Sequence, residues 1–236
     1  MNKAFLAYKL HKWLGLLIGL QVLIWLSTGL YMVIVSLDFI HGDPLVKNMQ
    51  QPVAAPAAAE LSIADIHHQF PGAHKIGLRP VMGKTFYIVS TPGKRLLVDP
   101  ASGAVVSPLG EQQARDIAAF HFNGDDPIIA ATLITSDPPG EIGARQLPLW
   151  RMDFDDRFST TFYISQDNGQ LVTRRHQYWR IFDFLWMLHI MDYVNRSDMH
   201  NLLLKVSQII GLVFVLTGFW LLYFRLKPRR KRAKGR

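Results

Sequence analysis

Two long runs without a charged residue constrain what this chain can fold into. From Trp13 to Leu37 there is no Asp, Glu, Lys, Arg or His, and about 25 residues at roughly 1.5 Å each reach about 37 Å, enough to cross a bilayer with some tilt. A second uncharged run, Val206 to Phe224, follows Lys205, whose ammonium can reach the interface on its own flexible stem. The runs predict transmembrane helices over residues 13–37 and 199–224. A secretory signal peptide competes for the first run, because Lys3, Lys9 and Lys12 precede it. Its apolar stretch is too long for a signal core and no A-x-A-like site follows, so it is expected to remain as an anchor.

Charge then sets an expected orientation. The chain has 26 Lys and Arg against 18 Asp and Glu, a formal net charge of +8. The tail "RLKPRRKRAKGR", residues 225–236, carries basic residues and no acid, and residues 1–12 add three lysines. By the positive-inside rule both termini are cytoplasmic and the loop between the spans lies outside. A basic tail directly after a span points to anionic lipid headgroups of the bilayer rather than to nucleic acid.

The intervening segment is too long for a connector and must be a domain. It has no cysteine, so its stability must come from its core. Residues 38–59, ending in "QQPVAAPAAA", read as an extended, semi-rigid linker. Beyond it the sequence repeats weakly: "LLVDPASGAVV" from Leu96 and "FYISQDNGQLV" from Phe162 each hold a short β run, a polar turn ending in glycine, and a resuming strand. Candidate strands "KTFYIVS" and "LPLWRMDF" precede them. Ahead of those lie candidate helices, "LSIADIHHQF" with Ser62 or Asp65 near its start, and "GEQQARDIAAFHF" from Gly110. The reading is a helix followed by a small antiparallel sheet, used twice, over residues 60–109 and 110–176.

These segments, with "RIFDFLWMLHIMDY" and the terminal helices "LHKWLGLLIGLQVLIWLSTGLY" and "GLVFVLTGFWLLYFR", resemble the PepSY-associated transmembrane family of bacterial inner-membrane proteins. The resemblance implies a membrane α+β fold, with two transmembrane helices flanking a periplasmic domain of two PepSY-like units. Relatives with four membrane helices resemble haem-containing reductases of ferric siderophores. Two helices instead of four imply that a haem site is completed by a second copy or another membrane subunit.

The histidines are where that implication meets the residues. His11 opens the first span, and Gly15 and Gly19 follow at i+4 and i+8, so one face offers an imidazole and a bare groove for a macrocycle. Gly15-x-x-x-Gly19 is equally a helix-packing motif. His41, His189 and His200 fall at the outer ends of the spans. His189 lies in the aromatic segment 177–195, read as an interfacial helix, and needs a ligand or a hydrogen-bond partner in such apolar surroundings. His200 is expected in the first turn of the second span, after Ser197 or Asp198 as its cap. His67, His68, His74 and His121 do not share a spacing that suggests a metal site. Asp99, Asp153, Asp155 and Asp156 fit turn chemistry. With no H-E-x-x-H, G-x-S-x-G, phosphate loop or cysteine, hydrolysis is not expected.

Two function classes stay open. One is electron transfer by a haem b subunit, ligated through His11, His189, His200 or His41, that supports reduction of ferric iron or a ferric siderophore outside. The other is a membrane-anchored module that binds and regulates a periplasmic protein or peptidase.

Overall fold

A computed structural model describes residues 3–47, 50–53, 60–143 and 147–227; residues 54–59 of the linker and 228–236 of the basic tail lie outside the described residues. The elements run α1 (Lys3–Ile34), α2 (Leu37–Ile40), a 3-10 turn (Asp43–Leu45), α3 (Ile63–Gln69), β1 (Lys75–Val81), β2 (Lys84–Thr91), β3 (Lys94–Val98), α4 (Glu111–His121), β4 (Ile128–Ile134), a second 3-10 turn (Gly140–Ile142), β5 (Leu149–Phe154), β6 (Thr161–Ser165), β7 (Leu171–Arg175), α5 (Gln177–Ile190) and α6 (Leu202–Leu226). They form two compact units: one comprises the chain up to Ser36 and from Ile181 onward, the other Leu37–Arg180.

In the first unit α1 and α6 are long and apolar enough to cross a membrane. Helix α1 begins well before Trp13, because the lysines of its first turns are good helix formers despite their charge. His11 therefore lies inside the helix and not at its mouth. The two helices pack antiparallel, with His11 and Gly15 of α1 against Phe214 of α6 and Trp25 approaching Gly211. Positions 11, 15 and 18 on α1 and 204, 207, 211, 214 and 218 on α6 are spaced by steps of three and four, the spacing that keeps one seam against a partner helix. Ile18, Leu204 and Ser207 are buried on it, while Leu17, Leu20, Leu23 and Leu26 of α1 and Ile209, Leu212 and Leu216 of α6 stay exposed. Asn201 caps α6 by accepting from the Leu204 N–H at 2.8 Å. His200 thus precedes the cap, one turn earlier than expected. Before it, Asp192 accepts backbone N–H bonds from Asp198, Ser197, Asn195 and Val194, which hold its carboxyl down at about 2.

The second unit is a helix followed by an antiparallel meander, twice. Ser62 and Asp65 close a capping box on α3, and β1-β2-β3 follow in that order; α4 leads into β4-β5-β6-β7. Two strands were not legible. β1 contains Gly77 and Pro80, which read as breakers but are tolerated on an edge strand, and β4 is a continuous apolar run on the other sheet's edge. The hairpin expected after β3 survives only as a bridge between Val98 and Val105, because the Ser107 hydroxyl takes the Leu97 N–H at 2.7 Å. Its turn glycine, Gly103, and the matching Gly169 of the second repeat have φ of +70° and +67°, a conformation that a Cβ disfavours.

The repeats share their largest core, beside a smaller one in each. Alternation along β2 sends Tyr87 and Val89 beneath α3 to meet Ile66, and sends Phe86 and Ile88 to the opposite face. There they join Val81, Leu97, the apolar face of α4, and Met152, Phe154, Phe162 and Ile164 of the second sheet. Phe154 stacks on Phe122 at 4.0 Å and meets Phe162 edge-on at 5.1 Å.

Candidate functional site

His11 is held by α6. Its Nδ1 lies 3.0 Å from the Thr217 hydroxyl and 3.1 Å from the Phe214 carbonyl, and its ring stacks on Phe214 with centroids 4.3 Å apart. The Thr217 hydroxyl donates to the Phe214 carbonyl at 2.8 Å, so its oxygen is left to accept, and His11 donates through Nδ1–H. A Cβ placed on Gly218 would stand 3.1 Å from His11 Cε1. The glycine gives the imidazole its seat.

His189 repeats the device at the other end of α1. Its Nδ1 is 2.8 Å from the Thr28 hydroxyl, which itself donates to the Ile24 carbonyl at 2.8 Å, so His189 also donates through Nδ1–H. Gly29 lies beneath its Cε1, Trp186 stacks alongside at 6.3 Å, and Trp25 Nε1 donates to the His189 carbonyl at 2.8 Å. Each histidine thus rests on a Thr-Gly pair, Thr217-Gly218 or Thr28-Gly29. In each, Nε2 keeps its lone pair and is not among the buried nitrogens that lack a partner. Helix residues 11 and 28 are about 26 Å apart along α1, less than the full span but far beyond the roughly 4 Å between two axial nitrogens of one iron.

The other sequence candidates sit differently. His200 is exposed and donates its backbone N–H to Asp198 at 2.7 Å; among the described residues of the first unit it makes no hydrogen bond or ring contact with His11 or His189. His41 belongs to the second unit, where it is exposed and its carbonyl accepts from Arg174 Nε at 2.9 Å. The groove expected beside His11 is occupied at Gly15, where a Cβ would meet the Phe214 ring at 3.2 Å, and open at Gly19.

Sequence reasoning passed over His176, the most enclosed histidine of the second unit. It has no exposed surface, is ringed by Phe39, Phe158 and Tyr178, and donates through Nε2 to the Phe39 and Ile40 carbonyls at 2.9 and 3.1 Å. Its Nδ1 is buried without a partner. Following "TRR" at a strand end, it reads in sequence as one more polar residue. Nearby, Glu141 bonds Arg180 at 2.8 Å and Tyr163 at 2.5 Å, pinning the turn before β5 to the start of α5. Burial pushes the Glu141 carboxyl up, but the bonds from Arg180 and Tyr163 outweigh it and hold it below its usual range; burial and Glu141 together raise the Tyr163 hydroxyl.

Burial also lowers His176 and His121 below the ordinary imidazole value, against the carbonyls they bond. A lowered folded value means that the unfolded chain binds more protons, so stability is complete above about pH 6.5 and falls as acid is added below it, by at most about 1.4 kcal/mol per pH unit for each histidine. Chemical denaturation between pH 7.5 and 5.5 should show this loss, reduced in His176→Phe. A flat profile would contradict it.

No protein-family model, no curated protein and no solved structure matches the chain.

Proposed function

We propose that the chain is a two-pass inner-membrane protein of the PepSY-associated kind, with both termini cytoplasmic. In this reading the Leu37–Arg180 unit is periplasmic and comprises two PepSY-like repeats, and the protein serves as a haem b electron-transfer subunit for reduction of ferric iron or a ferric siderophore. One observation carries the reading: His11 and His189 are each fixed through Nδ1–H, which leaves an accessible Nε2 lone pair, the arrangement of a ligating imidazole oriented by its second nitrogen. That donor set fits a haem iron, which when bound would supply one-electron chemistry. Each imidazole offers one axial ligand, so the other would come from a second copy of the chain or another membrane subunit.

The purified protein, from haem-replete cells, should give a low-spin b-type spectrum on dithionite reduction. His11→Ala and His189→Ala should each remove a separable part of it. Protein isolated without haem, or a full spectrum in the double variant, would shift the reading to the alternative of an anchored module that binds and regulates a periplasmic protein or peptidase. The filling of the Gly15 face by Phe214 favours that alternative, since it gives α1 a packing role there.

A further inference from the structure

A cavity of about 480 Å³ in the second unit lies between the edge strands of the two sheets. Leu78, Arg79 and Pro80 of β1 form one wall, and Gly169, Gln170 and Leu171 at the start of β7 form the other. His121 at the end of α4 and the linker residues Gln50, Gln51 and Val53 complete it. The volume is that of a small-molecule site, and three glutamines, Arg79 and His121 line it beside Val53, Leu78, Pro80 and Leu171.

Its charge is one-sided. None of the lining residues is acidic. Arg79 is half-buried, and among the described residues no carboxylate stands within ion-pair distance of it; its recorded side-chain bond is a long one, 3.3 Å, to Gln170 Oε1. Arg95 is close enough to repel it, and burial and that repulsion together lower the Arg79 guanidinium below its ordinary value. His121 donates through Nδ1–H to the Lys47 carbonyl, 3.3 Å away, and adds no counter-charge. A half-buried guanidinium beside a second one, with no carboxylate in ion-pair reach, gains from an anion that shares its fork of donors.

We propose that this cavity binds a small organic carboxylate, its anionic end on Arg79 and its apolar body against Val53, Leu78, Pro80 and Leu171. The glutamines at positions 51 and 170 flank the carboxylate end, and the pairing of one anion with one apolar patch sets the size of the ligand. The site uses no histidine of the first unit and stands whether or not haem is bound.

The test is titration calorimetry of the full-length protein in detergent with two probes, hexanoate and the acetylated dipeptide acid N-acetyl-Leu-Ala, each beside its uncharged amide. At least one acid should bind saturably and at least tenfold more tightly than its amide. Binding by hexanoate alone would identify a free small acid as the ligand type, and binding by the dipeptide acid alone would identify a peptide C-terminus. Arg79→Met should weaken the acid at least tenfold, and Arg79→Lys should restore part of the loss. If neither acid saturates at millimolar concentration, or acid and amide bind alike, the proposal is overturned. Should Arg79→Met fail to fold, the acid–amide contrast in the unaltered protein still decides.

Discussion

Replacing Arg180 by alanine is expected to destabilise the second unit by about 3 kcal/mol, near the lower end of the effect of breaking a buried ion pair. Glu141 would keep its buried position and its bond from Tyr163 but lose its ion-pair partner: its side chain is 15% exposed and that of Arg180 28%. The loss extends beyond one pair, because Arg180 also donates to the Thr161 hydroxyl at 3.0 Å and to the Ser159 carbonyl at 2.9 Å. For a chain of this size the melting temperature should fall by roughly 6–12 °C. Glu141→Gln combined with Arg180→Met removes both charges and should recover part of the stability. A single variant that melts with the parent would show that the cluster is decoration on the sheet.

Phe162→Ala should cost about 3–5 kcal/mol, the range for deleting a large aromatic side chain from a packed core. Phe162 has no exposed surface and sits where Phe122 and Phe154 meet. The informative readout is where protection against amide exchange is lost. Because Leu97 and Val81 of the first repeat share a core with Met152 and Phe162 of the second, β2 should lose protection together with β6. Loss confined to β4–β7 would mean that the repeats are independent after all.

Much of the architecture was legible because it is locally encoded. Uncharged length marked α1 and α6, Ser62 or Asp65 marked the start of α3, and Gly103 and Gly169 marked two turns that only a flexible backbone makes cheaply. What sequence could not show was long-range. Nothing local says that Phe86 and Ile88 turn away from their own helix to join the other sheet, or that Pro80 is harmless because its strand lies on an edge. Among the candidate histidines, the need of His189 for a partner followed from its apolar neighbours, but the partner, Thr28, is 161 residues away. His176 was missed because its burial depends on Phe39 and Phe158, both remote in sequence.

The same separation has a consequence in time. His11 emerges from the ribosome 206 residues before the hydroxyl of Thr217 that will hold it, an interval of about 10–40 s at synthesis rates of roughly 5–20 residues per second. Throughout that wait α1 must stand alone. Thr28 is already provided for, since its hydroxyl bonds the Ile24 carbonyl of its own helix, whereas His11 and Gly15 stay open until α6 is made. Helix α1 is made long before α6 and is finished only with it.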